Sequence, residues 1–418
     1  MRHGIFSATK SLGAAVALLR LAQTYGDQVF DLKIKDYVTV TATHDGWAQV
    51  TFADALNMAT GIGDLWPQRE PNRTHADNDS PNMGKWGEAQ TAKEKLDASF
   101  AFGKYPWGPG EVFRYNNAHT IILTAAMDGF LKRQAGPQAH LWASVVTDVF
   151  QLIGLFQAPM LHWPGGEGEP GLSHLSGGFY LTIDDVAQLA TLLQHGGRHQ
   201  AHQLLSAAKL AEALYQTKAM GLPSQLQTRF GVGRYHLSFW SMPYRTATGC
   251  VFQIPFASGR GGNVVVLLPN GITAFRLADG DHFDVSTMVL AGEAIHPFPC
   301  PAGSGEAPPP EPQPLTAGEL RIELAGHTFY AGLVNLFLAE DGVLYGTYTS
   351  EPDGGKERDI GRWHIVSDRY FCWQWHAWDG RREGCATMSR EGETFIFSPK
   401  DRFETEVFRR VPGNPEGY

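Results

Sequence analysis

Ser7-Ala8-Thr9-Lys10 stands at the head of a run whose spacing predicts a buried helix. Leu12, Ala15, Val16, Leu18, Leu19 and Ala22 recur at helical intervals, and the run stops at Gly26. Residues three apart share a helix face. Ser7 and Lys10 can therefore touch, provided the helix begins at or before Ser7. A serine hydroxyl is a weak nucleophile until a base takes its proton. Lysine can be that base only when partly neutral. Its ordinary pKa of about 10.4 must fall by roughly 3 units, about 4 kcal/mol, and burial is one way to achieve this. An apolar helix at the floor of a cleft would supply the burial. The same four residues also fit a plainer reading, a helix cap followed by a solvated lysine. The remainder of the chain has to separate the two.

The chain is long enough for two or three domains, at 418 residues. Its 43% hydrophobic and 18% charged content is that of a globular protein. The net charge of −9 comes with no basic cluster, which argues against a nucleic-acid partner. No apolar run reaches the roughly 18 residues of a transmembrane segment. The longest candidate, residues 11–22, is too short and is interrupted by Arg20. With the first motif beginning at Ser7, the chain carries no signal peptide ahead of it. The four cysteines lack C-x-x-C spacing. The 16 histidines form no H-E-x-x-H, and isolated ones such as His119 and His174 read as structural. No metal or organic cofactor is implied.

Taken in order, residues 27–50 read as a short extended segment with a turn at His44-Asp45-Gly46-Trp47. Thr51 and Asp54 form a capping box for a helix that ends at Gly61. Residues 64–98 are polar and read as a surface excursion. After the loop 106–110 comes Phe113-Arg114-Tyr115-Asn116-Asn117, then an apolar helix from about Thr120 to Leu131. Taken alone, Tyr115-Asn116-Asn117 fits a buried ring and an N-cap. Residues 155–180 form a Gly- and Pro-rich loop. Thr182 and Asp185 cap a helix that closes at Gly196-Gly197, and Ser206 opens another. From Phe230 the period is that of strands, with a hairpin across Pro269-Asn270-Gly271. The segment Ala257-Ser258-Gly259-Arg260-Gly261-Gly262 ends an apolar strand in glycines, which let a backbone run close to a ligand.

Residues 300–315 are a Pro-rich linker by composition. Beyond it the chain reads as strands only, an antiparallel meander closing as a small barrel or sandwich. Its Trp363, Trp373, Trp375 and Trp378 serve either as core packing or as the lining of a pocket. Cys372 and Cys385 are equidistant from Trp378-Asp379. A hairpin turning there makes them cross-strand neighbours, able to form a disulfide or to remain two buried thiols. Such a bond would hint at an oxidising compartment, periplasmic or secreted.

Three pieces stand in one order: S-x-x-K at 7–10, Y-x-N at 115–117 and the glycine-rich strand at 257–262. Together they resemble the serine β-lactamase and penicillin-binding-protein superfamily over roughly residues 1–295. The resemblance is nearest to its class C-like branch, with family VIII carboxylesterases, D-amino-acid peptidases and 6-aminohexanoate-dimer hydrolase. It implies that Ser7 is the acylated nucleophile and Lys10 its base. It implies that Tyr115 shuttles the proton and that Asn117 hydrogen-bonds Lys10 and the substrate amide. It further implies an oxyanion hole from the backbone N–H groups of Ser7 and Arg260. The third motif of the family, K-T-G or H-x-G, is matched by Ala257-Ser258-Gly259: Ser258 keeps a hydroxyl and the cation is gone. The family also carries a helix and two strands ahead of S-x-x-K, which six residues cannot supply. The chain is then a fragment, a late start, or one that covers its sheet edge in another way.

The expectation is an α+β chain. Residues 1–299 form a serine-hydrolase domain, an antiparallel sheet flanked by helices with a helical lobe. Residues 316–412 form a small all-β domain. The expected substrate is a small ester, amide or lactam, with an uncharged ester or amide preferred over a β-lactam or D-amino-acid peptide. A catalytically silent binding protein of the same fold is the alternative.

Overall fold

The computed structural model describes residues 1–64, 81–166, 171–280, 282–300, 313–331, 334–349, 356–391, 394–400, 403, 405–415 and 417–418. The chain divides into two compact units. The first comprises Met1–Gln225, Gly233–Thr246 and Val251–Pro301, the second Leu226–Val232, Ala247–Cys250 and Ala302–Tyr418. Most of the Pro-rich linker, residues 301–312, lies outside the described residues.

The first unit is built round the apolar run seen in the sequence. Lys10–Ala15 forms a π-helical turn that passes into α1 (Val16–Tyr25), and Gly26 ends it with a φ of 96°. Residues Lys10 to Leu19 are all buried, so this part of the helix is covered on every side and sits inside the unit. The unit also holds α2 (Phe52–Leu56), α3 (Pro81–Glu88), α4 (Ala92–Phe100), α5 (Asn117–Ala135), α6 (Leu141–Val145), α7 (Ile183–Gln194) and α8 (Ala207–Ala213); α6 and α8 pack against α1, and α5 against the π-helical turn. The capping boxes Thr51/Asp54 and Thr182/Asp185 both form, and Ser206 caps α8.

A six-stranded antiparallel meander follows. Its strands are β1 (Leu222–Thr228), β2 (Gly231–His236), β3 (Phe239–Arg245), β4 (Val251–Gly259), β5 (Asn263–Leu267) and β6 (Thr273–Arg276), in sequence order across the sheet. The hairpin at Asn270-Gly271 uses a Gly271 φ of 80°. Helix α9 (Ser286–Ile295) packs against β6. At the amino end, His3–Gly4 pairs with Tyr180–Leu181, which ties the Ser7 turn to the loop preceding α7.

Several expectations are corrected. Residues 27–50 are not extended: Asp27–Asp31, Ile34–Asp36 and Asp45–Ala48 are 3₁₀ turns, with only a Lys33–Thr51 bridge. The helix after Thr51 ends at Leu56 rather than Gly61, because Met58 and Gly61 take left-handed φ values of 55° and 71°. Of the excursion 64–98, residues 65–80 lie outside the described set. The rest holds α3 and α4, which bury Met83, Trp86, Lys95 and Phe100, so it is more than surface.

The second unit contains a closed eight-stranded antiparallel barrel. Its strands are β7 (His327–Ala331), β8 (Val334–Leu338), β9 (Val343–Thr349), β10 (Lys356–Ile365), β11 (Phe371–Trp375), β12 (Glu383–Glu391), β13 (Thr394–Pro399) and β14 (Glu406–Pro412). Pairing of β7 with β14 closes the ring, so no edge remains among the described strands of the barrel. Strands alone do not complete this unit. Helix α10 (Ala317–Leu324), opened by a Thr316/Glu319 capping box, buries Leu320 and Leu324 against the barrel core. Cys372 faces Cys385 across β11 and β12, and their sulfurs are bonded at 2.05 Å.

A fragment beginning at residue 313 should fold on its own, giving a strand-type far-UV circular dichroism spectrum. The disulfide closes a loop of sequence separation 13. Chain-entropy arguments give such a loop about 3 kcal/mol of stabilisation. Replacing Cys372 and Cys385 by serine should lower the urea midpoint accordingly. An unfolded fragment would contradict independence, and an unchanged midpoint would contradict the role of the bond.

Candidate active site

The chain enters α1 through a tight reversal. Ile5 N–H donates to the Phe179 carbonyl, and the N–H groups of Ala8, Thr9 and Lys10 bond back to the carbonyls of Ile5, Phe6 and Ser7. Phe6, immediately before Ser7, is held at a φ of 45°. A non-glycine residue in that region stores strain, which persists only where the surroundings enforce it. The reversal leaves Ser7 half-exposed, while Lys10, one turn on, is 1% exposed.

The Lys10 amine has three polar neighbours. Its Nζ lies 2.7 Å from Asn117 Oδ1, 2.6 Å from the Ser176 carbonyl oxygen and 3.1 Å from Ser7 Oγ. The first two can only accept. A neutral amine has two N–H groups and one lone pair. The two carbonyl oxygens use the N–H groups, and the lone pair is left for the Ser7 hydroxyl. Burial holds the Lys10 pKa well below the ordinary lysine range. Lys10 makes no ion pair among the described residues. The π-helical turn begins at Lys10 itself, a distortion common at functional positions.

Tyr115 closes the group from above. Its ring centroid is 4.9 Å from Lys10 Nζ. Burial pushes its hydroxyl above the usual tyrosine range, and a hydrogen bond with the Ser7 side chain works in the opposite direction. Burial thus favours the uncharged forms of both Lys10 and Tyr115. Two adjacent asparagines divide the local work. Asn116 caps α5 by accepting from Ala118 N–H, and Asn117, the first residue of α5, reaches Lys10.

The strand β4 passes on the other side. A Cβ added at Gly259 would sit 2.1 Å from the Ile5 carbonyl oxygen and 3.1 Å from Ser7 N. Only glycine admits so close an approach. Ser258 is half-buried beside it, and Ala257 is buried in the main core. The strand ends at Gly259, and Arg260-Gly261-Gly262 is the hairpin turn, with φ values of 81° and 79° at the two glycines. Arg260 is exposed there, and its carbonyl accepts from Asn263 Nδ2.

Sequence reasoning missed two parts of this arrangement. One is the Ser176 carbonyl, a backbone group that carries no residue signature. The other is an aromatic wall of Phe113, Tyr235 and Trp240 packed on Tyr115, with ring centroids 4.8–6.4 Å apart. Phe113 stands two residues from Tyr115, but Tyr235 and Trp240 come from β2 and β3. His174 lies beside Trp163, with ring centroids 4.1 Å apart; burial and the nearby Lys10 and Lys95 lower its pKa to about 3. His119 sits in the core between Thr60 and the Ile62 carbonyl.

The Beta-lactamase family model matches residues 1–291. No curated protein matches the sequence. Among solved structures, the octameric penicillin-binding protein homologue from Pyrococcus abyssi is similar at a TM-score of 0.52 and 14% identity, covering 97% of this chain and 88% of its own. A family VIII carboxylesterase has a TM-score of 0.45 and 16% identity over 67% of this chain and 79% of its own. A D-stereospecific amidohydrolase from Streptomyces sp. has a TM-score of 0.46 and 13% identity over 71% and 87%. At such identities the likeness of the first speaks for the fold.

Gly259→Ala should drive the β4 backbone away from Ser7 N. Loss of one aligned oxyanion donor costs roughly 10²–10³ in kcat. The expected outcome is a loss of that order, with the far-UV spectrum unchanged. Full activity in this variant would contradict the close approach.

Proposed function

The chain belongs to the beta-lactamase family, and from that premise we propose that it is a serine hydrolase which forms an acyl-enzyme on Ser7 from an uncharged ester or amide. The observation that carries this reading is the Lys10 amine, with two N–H groups bonded to carbonyl oxygens and its third contact 3.1 Å away at Ser7 Oγ. Lys10 accepts the Ser7 proton as Oγ attacks the carbonyl carbon. The oxyanion is received by the N–H groups of Ser7 and Arg260. Tyr115, uncharged and in contact with Ser7, passes a proton to the departing alcohol or amine as its bond to carbon breaks, and takes in its place the proton that Lys10 removed from Ser7. Water then attacks the acyl carbon, giving its proton to the Lys10–Tyr115 pair; the bond from that carbon to Ser7 Oγ breaks, Oγ takes the proton back, and the carboxylic acid leaves. Asn117 holds Lys10 and hydrogen-bonds the substrate amide.

The preference for uncharged substrates is supported by what stands at the third motif. A cation there would contribute about 1.5–3 kcal/mol toward a substrate carboxylate. Ala257 supplies none and is itself buried. Arg260 points from an exposed turn. The aromatic wall around Tyr115 offers apolar contact instead. The Cys372–Cys385 bond suits an oxidising compartment.

The test compares kcat/KM for a short-chain p-nitrophenyl ester with that for nitrocefin. The ester should be favoured, and Ser7→Ala should lower its turnover by roughly four or more powers of ten, with Lys10→Met adding little to that loss. A ratio well below one would overturn the preference. Undiminished turnover in Ser7→Ala would overturn the mechanism, and no turnover of any ester, amide or lactam by the intact protein would favour a silent binding protein.

A further inference from the structure

The four tryptophans of the carboxyl-terminal unit do not simply pack against one another. With Leu336, Leu344 and Phe408 they help enclose a cavity of about 470 Å³ inside the barrel. This falls within the range of roughly 300–1,000 Å³ usual for small-molecule sites. The residues that line it alternate along each strand, as an inward face must: Val334, Leu336 and Leu338 on β8; Phe371, Trp373 and Trp375 on β11; Phe397 and Pro399 on β13.

The two ends of the cavity differ. The end formed by Leu338, Leu344, Trp363 and Phe371 belongs to the core that Leu320 and Leu324 of α10 close. Trp363 and Trp375 are 7% and 5% exposed. The other end is marked by Tyr348, Glu357, Asp379 and Glu406, at the end of β9, the start of β10, the β11–β12 connection and the start of β14. All four are exposed. Three of them are carboxylates, and none of the described lining residues is a lysine, arginine or histidine. Indole faces add to the same preference, because their quadrupole attracts cations.

We infer that the barrel lumen is a binding site for an organic cation with an apolar body, the body seated among the tryptophans and the charge held at the Glu357–Asp379–Glu406 end. The apolar walls supply affinity through buried area. The carboxylates select the sign of the head group and weaken in effect as salt rises. This inference is independent of the chemistry at Ser7.

The test uses the full chain and two ligands of one chain length, decyltrimethylammonium and decanoate, below micellar concentration. Binding is followed by tryptophan fluorescence and by calorimetry at low and high salt. The cation should saturate one site and bind at least tenfold more tightly than decanoate. Glu357→Gln with Asp379→Asn, two exposed changes that leave the barrel core untouched, should weaken the cation about fivefold and leave decanoate no weaker. Leu336→Trp should fill the lumen and abolish binding of both. No saturable binding of the cation, decanoate binding as tightly as the cation, or an unchanged affinity in the double variant would each overturn the inference.

Discussion

The structure of the first unit depends on one buried amine. Lys10 lies inside an apolar helix, 1% exposed, with no carboxylate to pair with among the described residues. A charged ammonium there would carry a desolvation penalty of several kcal/mol, and only two carbonyl oxygens and a hydroxyl stand by to offset it. The molecule answers by favouring the neutral form. Asn117 from α5 and the Ser176 carbonyl, in the loop before α7, take the two N–H groups. Elements more than a hundred residues apart therefore meet at a single nitrogen. Tyr115 is subject to the same burial and is likewise kept uncharged.

A second constraint works on the backbone. The β4 strand approaches the Ser7 turn so closely that Gly259 has room for no side chain. On the far side of that turn, Phe6 is held in a left-handed conformation by the bond from Ile5 N–H to Phe179 and the pairing of His3–Gly4 with Tyr180–Leu181. The strain at Phe6 and the close approach at Gly259 thus bracket Ser7, and together they fix its position between β4 and Lys10.

What could be read from sequence followed local physics. The apolar spacing of residues 12–22, the capping residues Thr51, Thr182 and Ser206, and the Asn270-Gly271 hairpin each act within a few residues, and each is found where its pattern lies. The contact between Ser7 and Lys10 follows from their spacing of three. The strand β3 was less legible. The turn joining it to β2 is Leu237-Ser238, with φ values of 45° and 70° and no glycine or asparagine to announce it. Tertiary bonds hold it instead: Asn57 Oδ1 accepts from Leu237 N–H, the Ser238 hydroxyl donates to the Leu56 carbonyl, and Ser11 donates to the Ser238 carbonyl. The 3₁₀ turns of residues 27–48 were likewise hidden, because the alternation of Asp31-Leu32-Lys33-Ile34 belongs to the short extended link between two of them. Helix α10 did carry a signal, Thr316 with Glu319, which the strand-rich sequence around it obscured. The meander pattern beyond the linker allowed either a barrel or a sandwich, and the ring pairing of β7 with β14 that decides for the barrel is a long-range contact no local pattern reports.

The central claim is that a neutral Lys10 activates Ser7. It is tested most directly by the rate at which a fluorophosphonate labels Ser7 as a function of pH, with the modified residue identified by mass spectrometry. Below its pKa Lys10 is charged and cannot accept the Ser7 proton, so the rate should rise with pH through that value. Because burial lowers the Lys10 pKa, the rise should be complete well before the roughly 10.4 of an ordinary lysine. Lys10→Met should remove this dependence and slow labelling by at least 10²-fold, within the range general-base assistance supplies. Labelling that is equally fast in Lys10→Met, or that falls on another residue, would contradict the account.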